Sequence, residues 1–147
     1  MKRILGRCAA VLAALLAVLL LSIPFVNDFT AKRIAEGLRS LPLPEGAELV
    51  ETVYAAGKLA GSGNGMQYFG ALLLRSELSL EELEAHYSHC AGRDWECCVE
   101  PQRGSAIQAI EHGGLRFDAP AADEGFYIVY AWGDGAPFFE DFDLRGH

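Results

Sequence analysis

Residues 66–75 read Met-Gln-Tyr-Phe-Gly-Ala-Leu-Leu-Leu-Arg. In an extended chain successive side chains face opposite ways. Tyr68, Leu72 and Leu74 therefore share one face, and Phe69, Ala71 and Leu73 share the other. Apolar residues on both faces predict a central strand, covered on both sides. Upstream, Glu48 to Leu59 is rich in Val, Thr and Tyr and predicts a partner strand. The break between them, Gly61-Ser-Gly-Asn-Gly65, makes the pair a hairpin. Those glycines match a phosphate cradle in composition alone. A cradle needs a helix start directly after it, and here a strand follows, so turn chemistry is the better reading.

Downstream, Ser79-Leu-Glu-Glu82 is a capping box: Ser79 accepts from the Glu82 N–H while Glu82 reaches back to Ser79. Leu80, Leu83, Tyr87 and Cys90 form the apolar stripe of the helix that follows, and Gly92 ends it. Trp95 to Glu100 predicts a third strand. Ser105 to His112 fits a short helix with Ile107 and Ile110 inward, or a strand. Leu115–Phe117 and Phe126–Trp132 read as a last hairpin around Asp118 to Gly125. From Gly133 the chain reads as irregular, with Asp134, Glu140, Asp141 and Asp143 as a solvated end. The order β-β-α-β-(α)-β-β predicts an α+β fold: a small antiparallel sheet with one main packed helix, preceded by a transmembrane helix.

That preceding segment is Ala9 to Val26, AAVLAALLAVLLLSIPFV, with Lys2, Arg3 and Arg7 before it. Its 18 residues make about 27 Å of helix, just enough to cross a hydrocarbon core. No small-x-small cleavage site follows; cleavage after Ala31 would put bulky Phe29 at the −3 place. Cys8 precedes the apolar run and is not a lipoprotein acylation site. Residues 1–26 are therefore expected to be a retained anchor, single-pass, with the N-terminus inside and the C-terminal domain outside. Secretion after cleavage is the alternative. Lys32, Arg33 and Arg39 soften the orientation signal, and Pro24 is expected to kink or end the helix. Residues 27–44 read as a helical stalk, with Ile34, Leu38 and Leu41 at helical spacing, closed by the spacer Leu41-Pro-Leu-Pro44. The domain is expected to occupy 45–147.

Beyond the anchor, nine Lys and Arg stand against all twenty Asp and Glu of the 147-residue chain, a net of −11. Nucleic acid and anionic lipid surfaces are poor partners for such a domain, and the excess keeps it soluble. The expected partners are the membrane, through residues 9–26, and a protein or small ligand.

Candidate chemistry is sparse. Cys90, Cys97 and Cys98 are the candidates for a disulfide, from Cys90 to Cys97 or to Cys98; three thiols leave one unpaired, and small buried hydrophobes are the competing account. His86, His89 and Cys90 lie close along a helix, but H-x2-H-C-x6-C-C matches no zinc signature, so neither a metal nor a cofactor is expected. There is no G-x-S-x-G, H-E-x-x-H or Walker loop, and no catalytic residue is assigned. Tyr127, Tyr130 and Trp132 can present an aromatic ligand surface or pack in the core, the second being the ordinary fate of such residues.

The run Leu41-Pro-Leu-Pro-Glu-Gly-Ala-Glu-Leu-Val-Glu51, with Gly57-Lys-Leu, Gly63-Asn-Gly-Met-Gln-Tyr-Phe-Gly-Ala71, Ser79-Leu-Glu-Glu-Leu83, Tyr127-Ile-Val-Tyr130 and Asp143-Leu-Arg-Gly-His147, resembles a group of uncharacterised small single-pass membrane-anchored proteins of gut Clostridia and related Firmicutes. The resemblance implies a bacterial envelope location and brings no activity or site with it. The expectation is a membrane-anchored extracytoplasmic binding or interaction domain without catalysis. A small hydrolase-like envelope enzyme with His86 or His112 as base, or an accessory subunit of a membrane assembly, are the alternatives.

Overall fold

The computed structural model describes residues 2–88 and 97–147. Its elements are α1 (Lys2–Arg39), β1 (Ala47–Gly57), β2 (Gln67–Ser76), α2 (Leu80–Tyr87), β3 (Cys98–Pro101), β4 (Phe126–Gly133) and α3 (Pro137–Asp141), followed by a 3-10 turn at Leu144–Gly146. The four strands form one antiparallel sheet in the order β1-β2-β4-β3, so the fold is α+β. β2 is central, as its two apolar faces require.

Those faces build two cores. Tyr68, Leu72 and Leu74 pack with Ala31, Ile34 and Leu38 of α1 and with Leu83 and Tyr87 of α2. Phe69, Ala71 and Leu73 pack with Leu59, Ile107, Phe117 and Ala121, which come from loops. One face is thus roofed by helices and the other by irregular chain. The capping box of α2 forms as expected: Ser79 Oγ accepts from the Glu82 N–H at 3.3 Å, and Glu82 Oε2 accepts from the Ser79 N–H at 2.8 Å. The Ser79 N–H foremost, and the Ser79 hydroxyl donating to the same Oε2 at 2.9 Å, hold the Glu82 carboxyl below its ordinary range.

The main covering helix is the second half of α1, not α2. The segment expected as a stalk lies on the sheet, with Asn27, Ala31, Ile34, Ala35 and Leu38 all buried. The reason is Gly70. A Cβ there would stand 2.5 Å from the Ala35 backbone nitrogen, so the bare glycine lets helix and strand backbones touch. Nor does Pro24 end α1, which runs through it to Arg39.

The last expected hairpin is not formed. Phe126–Gly133 is β4, but its neighbours are β2 and β3. Leu115–Phe117 contributes only the bridge Arg116 to Ala106, and Phe117 turns inward as a buried plug under the sheet. Covering the second face of β2 requires Phe117, Ile107 and Ala121 at once, and extended strands cannot deliver all three. Gly113 and Gly114, at φ +81° and +65°, make the reversal that brings Phe117 there. Residues 105–112 are accordingly neither helix nor strand, although Ile107 does point inward. The third strand starts at Cys98; Trp95 lies outside the described residues. The C-terminal stretch is not irregular: it holds α3 and the 3-10 turn.

Candidate functional site

The sheet has two ends, and each gathers polar residues that are far apart in sequence. At the far end from the apolar half of α1, β1 begins, β2 ends and β4 begins. The register places Arg75 between Glu48 on β1 and Phe126 on β4. Its guanidinium carbon lies 5.9 Å from the Phe126 ring centroid, within cation–π range. Around it opens a cleft of about 780 Å3, lined among others by Glu48, Arg75, Glu77, Glu124 and Tyr127. Its floor is fixed by hydrogen bonds. The Ser76 N–H donates to Gly125 O at 2.8 Å, the Leu78 N–H to Ser76 Oγ at 3.1 Å, and the Tyr127 hydroxyl to Leu78 O at 3.0 Å. Three carboxylates face one guanidinium here, a charge balance that suits a ligand bearing cationic and hydrogen-bonding groups.

At the near end, α1 meets the C-terminal stretch. Asn27, Tyr68 and Asp143 are buried together. The Tyr68 hydroxyl donates to Asn27 Oδ1 at 2.8 Å, and Asn27 Nδ2 donates to Asp143 Oδ2 at 2.7 Å and to Phe139 O at 2.8 Å. Arg145 closes the cluster. Its Nη2 donates to Asp143 Oδ2 at 2.8 Å and to Pro24 O at 3.1 Å, and its Nη1 to Asp28 Oδ1 at 2.7 Å. The Arg145 hydrogen bonds lead in holding the Asp143 carboxyl at about 2, with the Asn27 bond acting the same way against burial. Burial foremost pushes the Tyr68 hydroxyl up to about 12. The expectation of a solvated acidic end is thus corrected at Asp143, whose lone pairs are committed inside the fold, while Glu140 accepts from the Gly135 N–H at 2.8 Å. This seam is a fastening: every polar side chain in it is engaged by another part of the chain.

The other sequence candidates are scattered. His86 Nε2 lies 2.8 Å from Pro42 O and ties α2 to the proline spacer. His112 Nε2 lies 3.0 Å from Gly61 O. The glycine loop is clamped there, with the Glu111 and His112 N–H groups both donating to Leu59 O and the Gly61 N–H to Glu111 Oε2 at 2.9 Å. Neither imidazole is hydrogen-bonded to a serine or cysteine among the described residues. Cys97 is disulfide-bonded and Cys98 is a free thiol; Cys90, with His89, lies outside the described residues. Tyr130 is buried and donates to Glu100 Oε1 at 2.7 Å; burial foremost, then that bond, raises its pKa. Trp132 packs edge-on against Phe69, 4.8 Å between centroids. These aromatic residues serve the core.

Sequence reasoning missed both ends of the sheet. Glu48, Arg75, Glu77 and Glu124 carry no motif, and only the strand register unites them. For the seam there was a signal: Asn27, Ala31, Ile34 and Leu38 extend one stripe, with a polar residue at its start. The chain matches no family model, and neither a curated protein nor a solved structure matches it.

Proposed function

We propose that this chain is a single-pass membrane protein of a bacterial envelope. The N-terminus is inside, and a non-catalytic binding domain is held on the outer side. The observation that carries the reading is the continuity of α1, which passes unbroken from an exposed apolar half into the core of the domain. An apolar helix surface of that length is costly in water and at home in lipid. The basic residues Lys2, Arg3 and Arg7 support the orientation. Because no loop separates span from domain, the helix sets the height of the binding surface. From Asn27 to Arg39 it climbs about 18 Å, which puts the cleft around Arg75 and Glu124 on the side away from the bilayer. The partner is a protein segment or small molecule with positive charge.

Two measurements on native membranes test this. The chain should resist alkaline extraction and retain its first residues by mass; release of a shortened chain would replace anchoring with secretion. A photo-crosslinking amino acid at Glu124 should give a discrete adduct that weakens when Glu48→Lys is added, since the reversal removes a carboxylate from the cleft and repels a cationic partner. An unmodified chain at Glu124, with efficient labelling elsewhere, would remove the cleft from consideration.

A further inference from the structure

The C-terminal stretch carries apolar side chains that the fold leaves uncovered. Phe138, Phe142 and Leu144 are exposed, Leu144 at 85%. Phe138 stacks with Phe142, ring centroids 5.1 Å apart. Their height along α1 is set by the seam on either side of them. Phe139 O is held by Asn27 Nδ2, and Arg145 by Pro24 O and Asp28. Pro24 to Asp28 is the turn where the apolar half of α1 ends, and Phe25 within it and Phe29 just after it are exposed, at 74% and 58%. Five large apolar side chains from two distant parts of the chain thus collect at one level, continuous with the apolar surface below. Burying them against a second protein would require a partner at a place that the lipid already occupies. Next to them the single Arg145 guanidinium is shared by Asp28 and Asp143, so its positive charge is answered within the chain and this group keeps a net of −1.

We propose that residues 137–144, with Phe25 and Phe29, form a collar that sinks into the boundary between headgroups and acyl chains of the outer leaflet. The inference rests on the reading of α1 as the anchor. The collar gives the domain a second point of attachment beside the helix, which fixes its tilt over the bilayer. Its ligand is the lipid boundary itself, and zwitterionic lipid suffices, because the neighbouring Asp28, Glu140 and Asp141 give no attraction for anionic headgroups.

The full-length chain in phosphatidylcholine vesicles provides the test. Tryptophan is introduced singly as Phe142→Trp, Leu144→Trp, Leu16→Trp or Glu124→Trp, and the added emission is compared in plain lipid and in lipid brominated near the headgroup end of its chains. The collar predicts at least twofold quenching at 142 and 144, quenching also at 16, and none at 124. Quenching at 16 with 142 and 144 as bright as 124 overturns the collar while the anchor stands. No quenching at any position overturns the anchor, and the collar with it. Leu144→Trp, at the more exposed site, keeps the test open should Phe142→Trp fail to fold.

Discussion

Leu15 and Leu38 stand on the same helix, and their surroundings have nothing in common. Leu15 belongs to a stretch in which nearly every large side chain is exposed; Leu38 is sealed between α1 and the sheet. The first half of α1 is apolar all round and finds no protein to pack on. The second half is apolar along one stripe, Asn27 excepted, and that stripe meets Gly70, Tyr68 and Leu72. Helices apolar all round belong in lipid, and striped ones belong on a surface of matching shape. The difference teaches that the apolar segment and the core are not two modules joined by a stalk. They are one rod, and its division is made by spacing, not by a break in the backbone.

Four experiments break or sharpen this comparison. Gly70→Val should have the largest effect. The new side chain collides with backbone atoms of Ala35 that cannot rotate away, so the helix must lift from the sheet. A loss of about 3 kcal/mol or more is expected, read by urea unfolding in detergent through Trp132 emission. Leu38→Ala should follow at about 3 kcal/mol, since it leaves a cavity under a rigid helix; the same unfolding curve measures it.

Acid should loosen the seam next. The Asp143 carboxyl is held at about 2 in the fold against an ordinary 3.8. A depressed carboxyl stabilises fully above its unfolded value and loses that contribution as pH falls through its folded one. Stability should therefore decline by an amount on the order of 2 kcal/mol between about pH 4 and pH 2. Asp143→Asn, already weaker at neutral pH, should show that much less of the decline. Equal acid slopes in the two proteins would show that Asp143 does not hold the seam. The smallest effect belongs to the other half of the helix. Leu16→Ala should change domain stability by less than about 0.5 kcal/mol, because Leu16 is exposed and packs on no other part of the fold. A large loss at Leu16 would mean that the first half is packed on something after all.

Much of this was readable in advance from particular residues. The two-faced pattern of 68–74 placed β2 in the sheet's interior, and Ser79 with Glu82 marked the start of α2, because both signals act over one or two turns of chain. Ala9–Val26 stood out by composition alone. The cleft was not readable, because Glu48, Arg75 and Glu124 become neighbours only through strand register. The seam was half readable: Ile34 and Leu38 announced a buried stripe, but the acids after Gly133 gave no sign that one of them would close on Asn27.

By itself the sequence determined the α+β class, the hairpin, the capped helix and the single long apolar segment. Each of these follows from side-chain spacing or local hydrogen bonding, which do not depend on the rest of the fold. Only the tertiary structure decided that the presumed stalk roofs the sheet, that Phe117 plugs its underside instead of extending a hairpin, and that Asp143 and Arg145 lock the end of the chain onto α1. Those outcomes depend on which surfaces remain uncovered once the local elements exist. Among the described residues, Leu59, Ile107, Phe117 and Ala121 cover the second face of β2, and Asp143 and Phe139 O take the amide of Asn27.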